Sequence, residues 1–172
     1  MPDYQIFGGS LRSDLSFPEL APAPSTVPPR WLLTTSDRAM PLSDPIVVGR
    51  EEVEPGVQVT LSRHSQGLRL AFNDTGTFDI SSDGARIDWV RPAEPDFASV
   101  RKDVLGRVLA VCLHLQGVVA LHGSAVELSG SAVAFLAPKF HGKSTTAAAL
   151  VDSGARLLAD DIVAVSIDGK PV

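Results

Sequence analysis

Three short groups of residues in the C-terminal part of this chain could do chemistry together: Gly142-Lys143-Ser144-Thr145, Asp160-Asp161 and His122. A glycine, a lysine and a hydroxyl residue, set between an apolar run and a helix-forming run, suit a polyphosphate. Backbone N–H groups and a helix N-terminus surround the anion, the lysine reaches its outer phosphates, and the hydroxyl ligates Mg²⁺. Two adjacent carboxylates serve a hard cation and accept the proton of an attacking hydroxyl. A histidine beside them would orient or tune the base, or serve as a structural histidine.

These groups need elements that bring them together. Ala132-Val133-Ala134-Phe135-Leu136 has no polar face, as expected of a central strand covered on both sides. It runs into the loop Ala137, Pro138, Lys139, Phe140, His141, Gly142, Lys143, Ser144, Thr145, and then into the helix former Thr146 to Val151. Gly-Lys-Ser alone is a weak signal, and the strand before it and the helix after it are what discriminate. The loop departs from the G-x-x-x-x-G-K-[ST] (Walker A) pattern at Ala137, harmless at negative φ, and at Phe140, which is strained if its φ is positive. After Gly154, Ala155 to Ala159 reads as a strand that delivers Asp160 and Asp161 beside the loop through a right-handed crossover, and Ile162 to Ile167 follows. Val118 to Leu121 reads as a strand ended by His122, which a parallel sheet would bring to the edge that carries the acids. His141 reads as a loop filler or as a phosphate contact within the nucleotide-binding loop, and His64 and His114 as surface or helix-packing residues; no histidine pair has ligand spacing on one element.

Upstream, Val57, Val59 and Leu61, then Leu68, Leu70 and Phe72, alternate with polar residues. Turns at Asn73 to Gly76 and Ser81 to Gly84 separate two further short runs, so the spacing predicts a four-stranded antiparallel meander. Seven prolines between Phe17 and Pro45 forbid a long helix and predict extended surface chain, with Trp31-Leu32-Leu33 able to pin it to a core. Asp96 is placed to cap a helix whose apolar face is Phe97, Val100, Val104, Leu105, Val108, Val111, Cys112 and Leu115, ending at Gln116-Gly117. The chain is therefore expected to be α/β in its second part and α+β overall. Residues 1–95 form an antiparallel β-rich subdomain, 96–117 a linking helix, and 118–172 a partial phosphate-loop domain.

Composition narrows the classes further. The 172 residues are 44% hydrophobic and 20% charged with net charge −5, ordinary for a globular chain. Residues 1–98 hold 8 basic and 14 acidic side chains, and residues 99–172 hold 7 and 6. This balance argues against a nucleic-acid-coating protein, which needs a clustered basic face, and permits one compact anionic ligand in the second part. A lone cysteine, Cys112, excludes a disulfide framework. Neither a membrane span nor a secretion signal is readable, which predicts a cytoplasmic protein with no membrane partner.

Leu121-His122-Gly123-Ser124-Ala125-Val126, the Ala137 to Thr145 loop and Arg156-Leu157-Leu158-Ala159-Asp160-Asp161 together resemble the HPr kinase/phosphorylase C-terminal domain family. The leader with Tyr4 to Gly9 and Ser13 to Leu20 is more faintly similar to HPr-kinase-like serine kinases. The resemblance implies a phosphate-loop kinase fold, distantly akin to phosphoenolpyruvate carboxykinase, that moves the terminal phosphoryl group of ATP to a serine of a protein or peptide. Carried over, Lys143 and Ser144 bind nucleotide and Mg²⁺, one of Asp160 and Asp161 is the general base with Asp161 also on the metal, and His122 is the family histidine. The family loop is usually richer in glycine than Ala137, Lys139 and Phe140 allow. Family members also continue beyond the acidic strand, so the chain reads either as a truncated catalytic domain or as one whose remaining sheet another chain supplies, and an uncovered apolar face or edge favours a homo-oligomer or aggregation. The competing reading is a nucleotide- or peptide-binding accessory module that transfers nothing. A switch GTPase is disfavoured because no Asn-Lys-x-Asp segment is present.

Overall fold

The computed structural model describes residues 1–24 and 28–166. The protein is mixed α+β and divides into two compact units, residues 1–116 and 117–172.

The first unit is built on an eight-stranded sheet. Its strands are β1 (Asp3–Ile6), β2 (Gly9–Ser13), β3 (Trp31–Ser36), β4 (Ile46–Glu54), β5 (Val57–His64), β6 (Gly67–Phe72), β7 (Gly76–Ser81) and β8 (Arg86–Val90), in the order β1-β2-β3-β8-β7-β6-β5-β4. The expected meander is β5 to β8, every pair antiparallel. Cross-strand register explains why alternation was legible there. Val59 opposes Phe72, Leu70 opposes Phe78, Phe78 opposes Trp89 and Ile80 opposes Ile87, so these side chains share one face. All of them are buried. The opposite face carries Arg69, whose guanidinium donates two hydrogen bonds to the carboxylate of Asp79 at 2.5 and 2.7 Å.

The sheet departs from the expected all-antiparallel arrangement at β3, which pairs in parallel with both β2 and β8. The long connection from Ser13 to Trp31 permits this, because a parallel return needs about a dozen residues or more. Part of that connection is pinned rather than loose: Phe17 is fully buried and Tyr4 bridges to Pro22. Trp31 and Leu33 do anchor the proline-rich segment, as members of an internal strand of the sheet.

The helical segment belongs to this unit's core. It comprises α1 (Phe97–Asp103), a π-helical turn (Val104–Val108) and α2 (Leu109–Leu115). Asp96 caps it as expected, accepting the Ala98 backbone N–H at 3.1 Å. Val100, Val104, Val108 and Cys112 are fully buried. The π turn winds the helix by an extra residue, so Leu109 and Leu113 are buried where Leu105 and Leu115 were expected, and Phe97 stays half exposed. Trp89 meets Phe97 edge-on, and Asp103 accepts the Thr75 hydroxyl hydrogen at 2.6 Å.

The second unit is a three-stranded sheet, β10-β9-β11, with one helix. Its elements are β9 (Val119–Leu128), β10 (Ser131–Leu136), α3 (Lys143–Asp152) and β11 (Arg156–Val165). Three expectations are corrected here. His122 does not end a strand, because β9 runs through His122-Gly123 without a break. Gly123 permits this, since a Cβ there would lie 2.7 Å from the Phe135 carbonyl oxygen. Second, β10 is an edge strand with Val133 and Leu136 exposed; apolar content alone does not reveal strand order. Third, the acids lie inside one continuous strand, β11, rather than at the end of a shorter one. The expected continuation to Ile167 lies outside the described residues. Both β10 and β11 run antiparallel to β9, so they are parallel to each other and α3 carries the chain across the central strand. Along α3, Lys143 and Ala147 are buried and Leu150 partly so, which lays one stripe of the helix on Val126 and Phe135.

Candidate functional site

The site is assembled where the loop 137–142 enters α3 and β11 passes alongside. Gly142 has φ +79, a left-handed conformation that glycine adopts without steric cost, and its carbonyl accepts the first helical hydrogen bond, from the Thr146 N–H at 2.8 Å. The chain therefore turns sharply into α3 with Lys143 and Ser144 in the first turn. Lys143 is buried, and its Nζ donates to the carbonyls of Ala137 at 2.9 Å and Pro138 at 3.1 Å. An ammonium held over loop carbonyls is a cation waiting at the mouth of a helix N-terminus, where positive potential and unpaired N–H groups favour an anion.

Ala137 is absent from the positive-φ residues, so its missing glycine is harmless there. Phe140 has φ +68, the strained case; the residue is 91% exposed, and the Lys139 ammonium lies 5.3 Å from its ring centroid. His141 is exposed, its Nδ1 3.0 Å from the Lys139 carbonyl oxygen. Thr145 is exposed on α3.

The two acids separate into two environments. Asp160, not Asp161, meets Ser144: the Ser144 hydroxyl donates to Asp160 Oδ1 at 2.9 Å. The same oxygen accepts the hydroxyl of Ser124, fully buried on β9, at 2.5 Å. Burial pushes the Asp160 carboxyl up, but the hydroxyls of Ser124 and Ser144, the Asp161 N–H and the nearby His122 outweigh it and hold the group below the ordinary aspartate range.

Asp161 has φ +79 within the strand. A regular strand would send neighbouring acids to opposite faces; the left-handed residue breaks that alternation. His122, opposite Ile162, has its Nδ1 3.1 Å from both the Asp161 carbonyl oxygen and Asp161 Oδ1. Both partner oxygens are acceptors, so Nδ1 is the donor in these contacts. The expected meeting of His122 with the acids is thus made through antiparallel pairing of β9 with β11. Ser124 was missed as a site residue; the available signal was its place two residues after His122, on the same face of a strand.

Among the described residues no cluster of three or more His, Cys, Asp or Glu could hold a metal ion. A hydroxyl and a carboxylate sharing a hydrogen bond form a partial oxygen set, the donor chemistry of a hard cation that arrives with phosphate oxygens and water. No helix among the described residues is long and apolar enough to cross a membrane. No family model matches the chain, and no curated protein or solved structure matches it.

Proposed function

We propose that the second unit is an HPr-kinase-like phosphate-loop domain that binds Mg·ATP and transfers the terminal phosphoryl group to a serine hydroxyl of a protein or peptide. One observation carries this reading. The first-turn hydroxyl of α3 is hydrogen-bonded to an acid of the neighbouring strand, Ser144 to Asp160 at 2.9 Å, next to a buried lysine and a second acid paired with histidine. A strand-to-helix turn without a ligand needs none of these.

Bound nucleotide would supply the electrophilic phosphorus, and its cation would neutralise charge on the phosphate oxygens. Lys143, now on two loop carbonyls, would hold phosphate oxygens. Ser144, its hydrogen committed to Asp160, would offer lone pairs to the cation. Asp161 takes the proton of the acceptor hydroxyl as its oxygen bonds to phosphorus and the bond to the departing diphosphate breaks; His122 orients that carboxylate. Positioning and charge neutralisation provide most of the rate.

Calorimetry on the 172-residue chain is the first test. Wild type binds Mg·ATP at micromolar affinity, and Lys143→Ala weakens it at least about tenfold, equivalent to about 1.4 kcal/mol. Asp161→Asn retains nucleotide but loses roughly 10²-fold or more in transfer to serine peptides, the scale of a lost general base. A folded wild type that ignores Mg·ATP refutes the proposal.

Phe140 favours a second reading, a nucleotide- or peptide-binding accessory module. A residue with a strained backbone and 91% exposure in the loop interior departs from a glycine-lined phosphate cradle. Wild type that binds ATP and transfers nothing to any serine substrate identifies that module.

A further inference from the structure

Two serine hydroxyls converge on one carboxylate oxygen, and they are held very differently. Ser144 is exposed and belongs to the first turn of α3. Ser124 is fully buried at the centre of β9, with Phe135 opposite on one side and Asp160 on the other, so its backbone is clamped by ladders on both edges. Its bond to Asp160 Oδ1 is the shorter of the two, 2.5 Å against 2.9 Å.

Asp160 needs such an anchor. It lies on an edge strand, between a register shift at Leu157/Ala159 and the left-handed Asp161, where the backbone is irregular on both sides. An exposed carboxylate there has several rotamers open to it. A buried hydroxyl that donates to Asp160 selects one of them, and leaving that hydroxyl without a partner carries its own desolvation penalty.

We propose that Ser124 is a positioning residue for the cation side of the site: it fixes Asp160, and through Asp160 it fixes the direction in which Ser144 presents its lone pairs. The inference rests on the Mg·ATP reading above and assigns to β9 a part in it that the phosphate loop and the acidic pair do not contain. Ser124 touches neither nucleotide nor acceptor in this scheme.

Its signature is a loss confined to the cation-dependent part of binding. Calorimetry compares ATP with Mg²⁺ against ATP with EDTA for wild type, Ser124→Ala, Ser124→Thr and Asp160→Asn, with folding of each checked by circular dichroism. Ser124→Ala weakens Mg·ATP binding about tenfold and changes the EDTA value less than twofold, while Ser124→Thr, which keeps the hydroxyl, restores the affinity to within about threefold. Adding Ser124→Ala to Asp160→Asn causes no further loss, because both act through the same carboxylate. If Ser124→Ala does not fold, Ser124→Cys, a close match in size but a weak donor, takes its place against Ser124→Thr. Equal losses with Mg²⁺ and with EDTA, or no loss at all, overturn the inference and leave the nucleotide reading standing. A wild type that binds no ATP removes both, an outcome recognised before any Ser124 variant is compared.

Discussion

Phe140 is the residue at which the loop's local chemistry and its backbone disagree. A left-handed conformation costs an L-residue about 1–2 kcal/mol, and a residue that is 91% exposed recovers little of that by burial. Glycine relieves the strain at the cost of about 0.5–1 kcal/mol in unfolded-chain entropy. Phe140→Gly should therefore be more stable than Phe140→Ala, which keeps the strain, by about 1 kcal/mol in urea denaturation. Equal stability of the two variants would show that the loop holds this φ without penalty. Lys143 and Ser144 were legible as candidate-site residues because the loop and helix that contain them are local. Ser124 was not, because a serine in an apolar strand joins the candidate site only through the residue opposite it.

At the scale of elements, the contact between α1 and the turn before β7 makes a pH-dependent prediction. Burial first, and the charge of Asp74 after it, raise the Asp103 carboxyl above its ordinary value; the Thr75 hydroxyl, Arg107 and Lys102 pull the other way without cancelling them. The folded protein thus holds this proton more tightly than the unfolded chain does. The stability that this carboxyl contributes is fully present below the ordinary aspartate value of about 3.9 and is lost as pH rises through the raised folded value. Asp103→Asn retains an acceptor for Thr75 and removes the titration. Its melting temperature should match wild type near pH 3 and exceed it at pH 7; a variant that is less stable than wild type at both pH values contradicts the assignment. The meander strands and the Asp96 cap were readable from period and capping chemistry. β4 was not, because Ile46, Val47 and Val48 are all exposed and Glu51, Glu52 and Glu54 crowd its far half, so no alternation marks it.

The whole molecule consists of two units of different character. The first holds the aromatic core and the 97–115 helix; the second is a small sheet with one helix and the candidate site, and exposes Val133, Leu136, Leu157, Leu158 and Val165. Cys112 reports on the first unit. Burial pushes its thiol up to about 12, so it is neither accessible nor ionised in the folded protein. An aromatic disulfide reagent should label it only through the denaturant range in which the first unit unfolds. Rapid labelling of the native chain would mean that the helix leaves the sheet without global unfolding.

Local sequence is enough for the loop before α3, the Asp96 cap, the alternating faces of β5 to β8 and the presence of two acids after the loop. Each depends on neighbours within a few residues, where spacing and backbone preference decide. Only long-range pairing places β10 at an edge, sets β3 parallel to both neighbours, brings Asp160 rather than Asp161 to Ser144, and adds Ser124 to them. Those outcomes depend on which strands lie side by side and in what register, and on a left-handed φ at Asp161 that turns one acid toward His122. Pairing energies between distant segments settle such questions, and no single segment carries them.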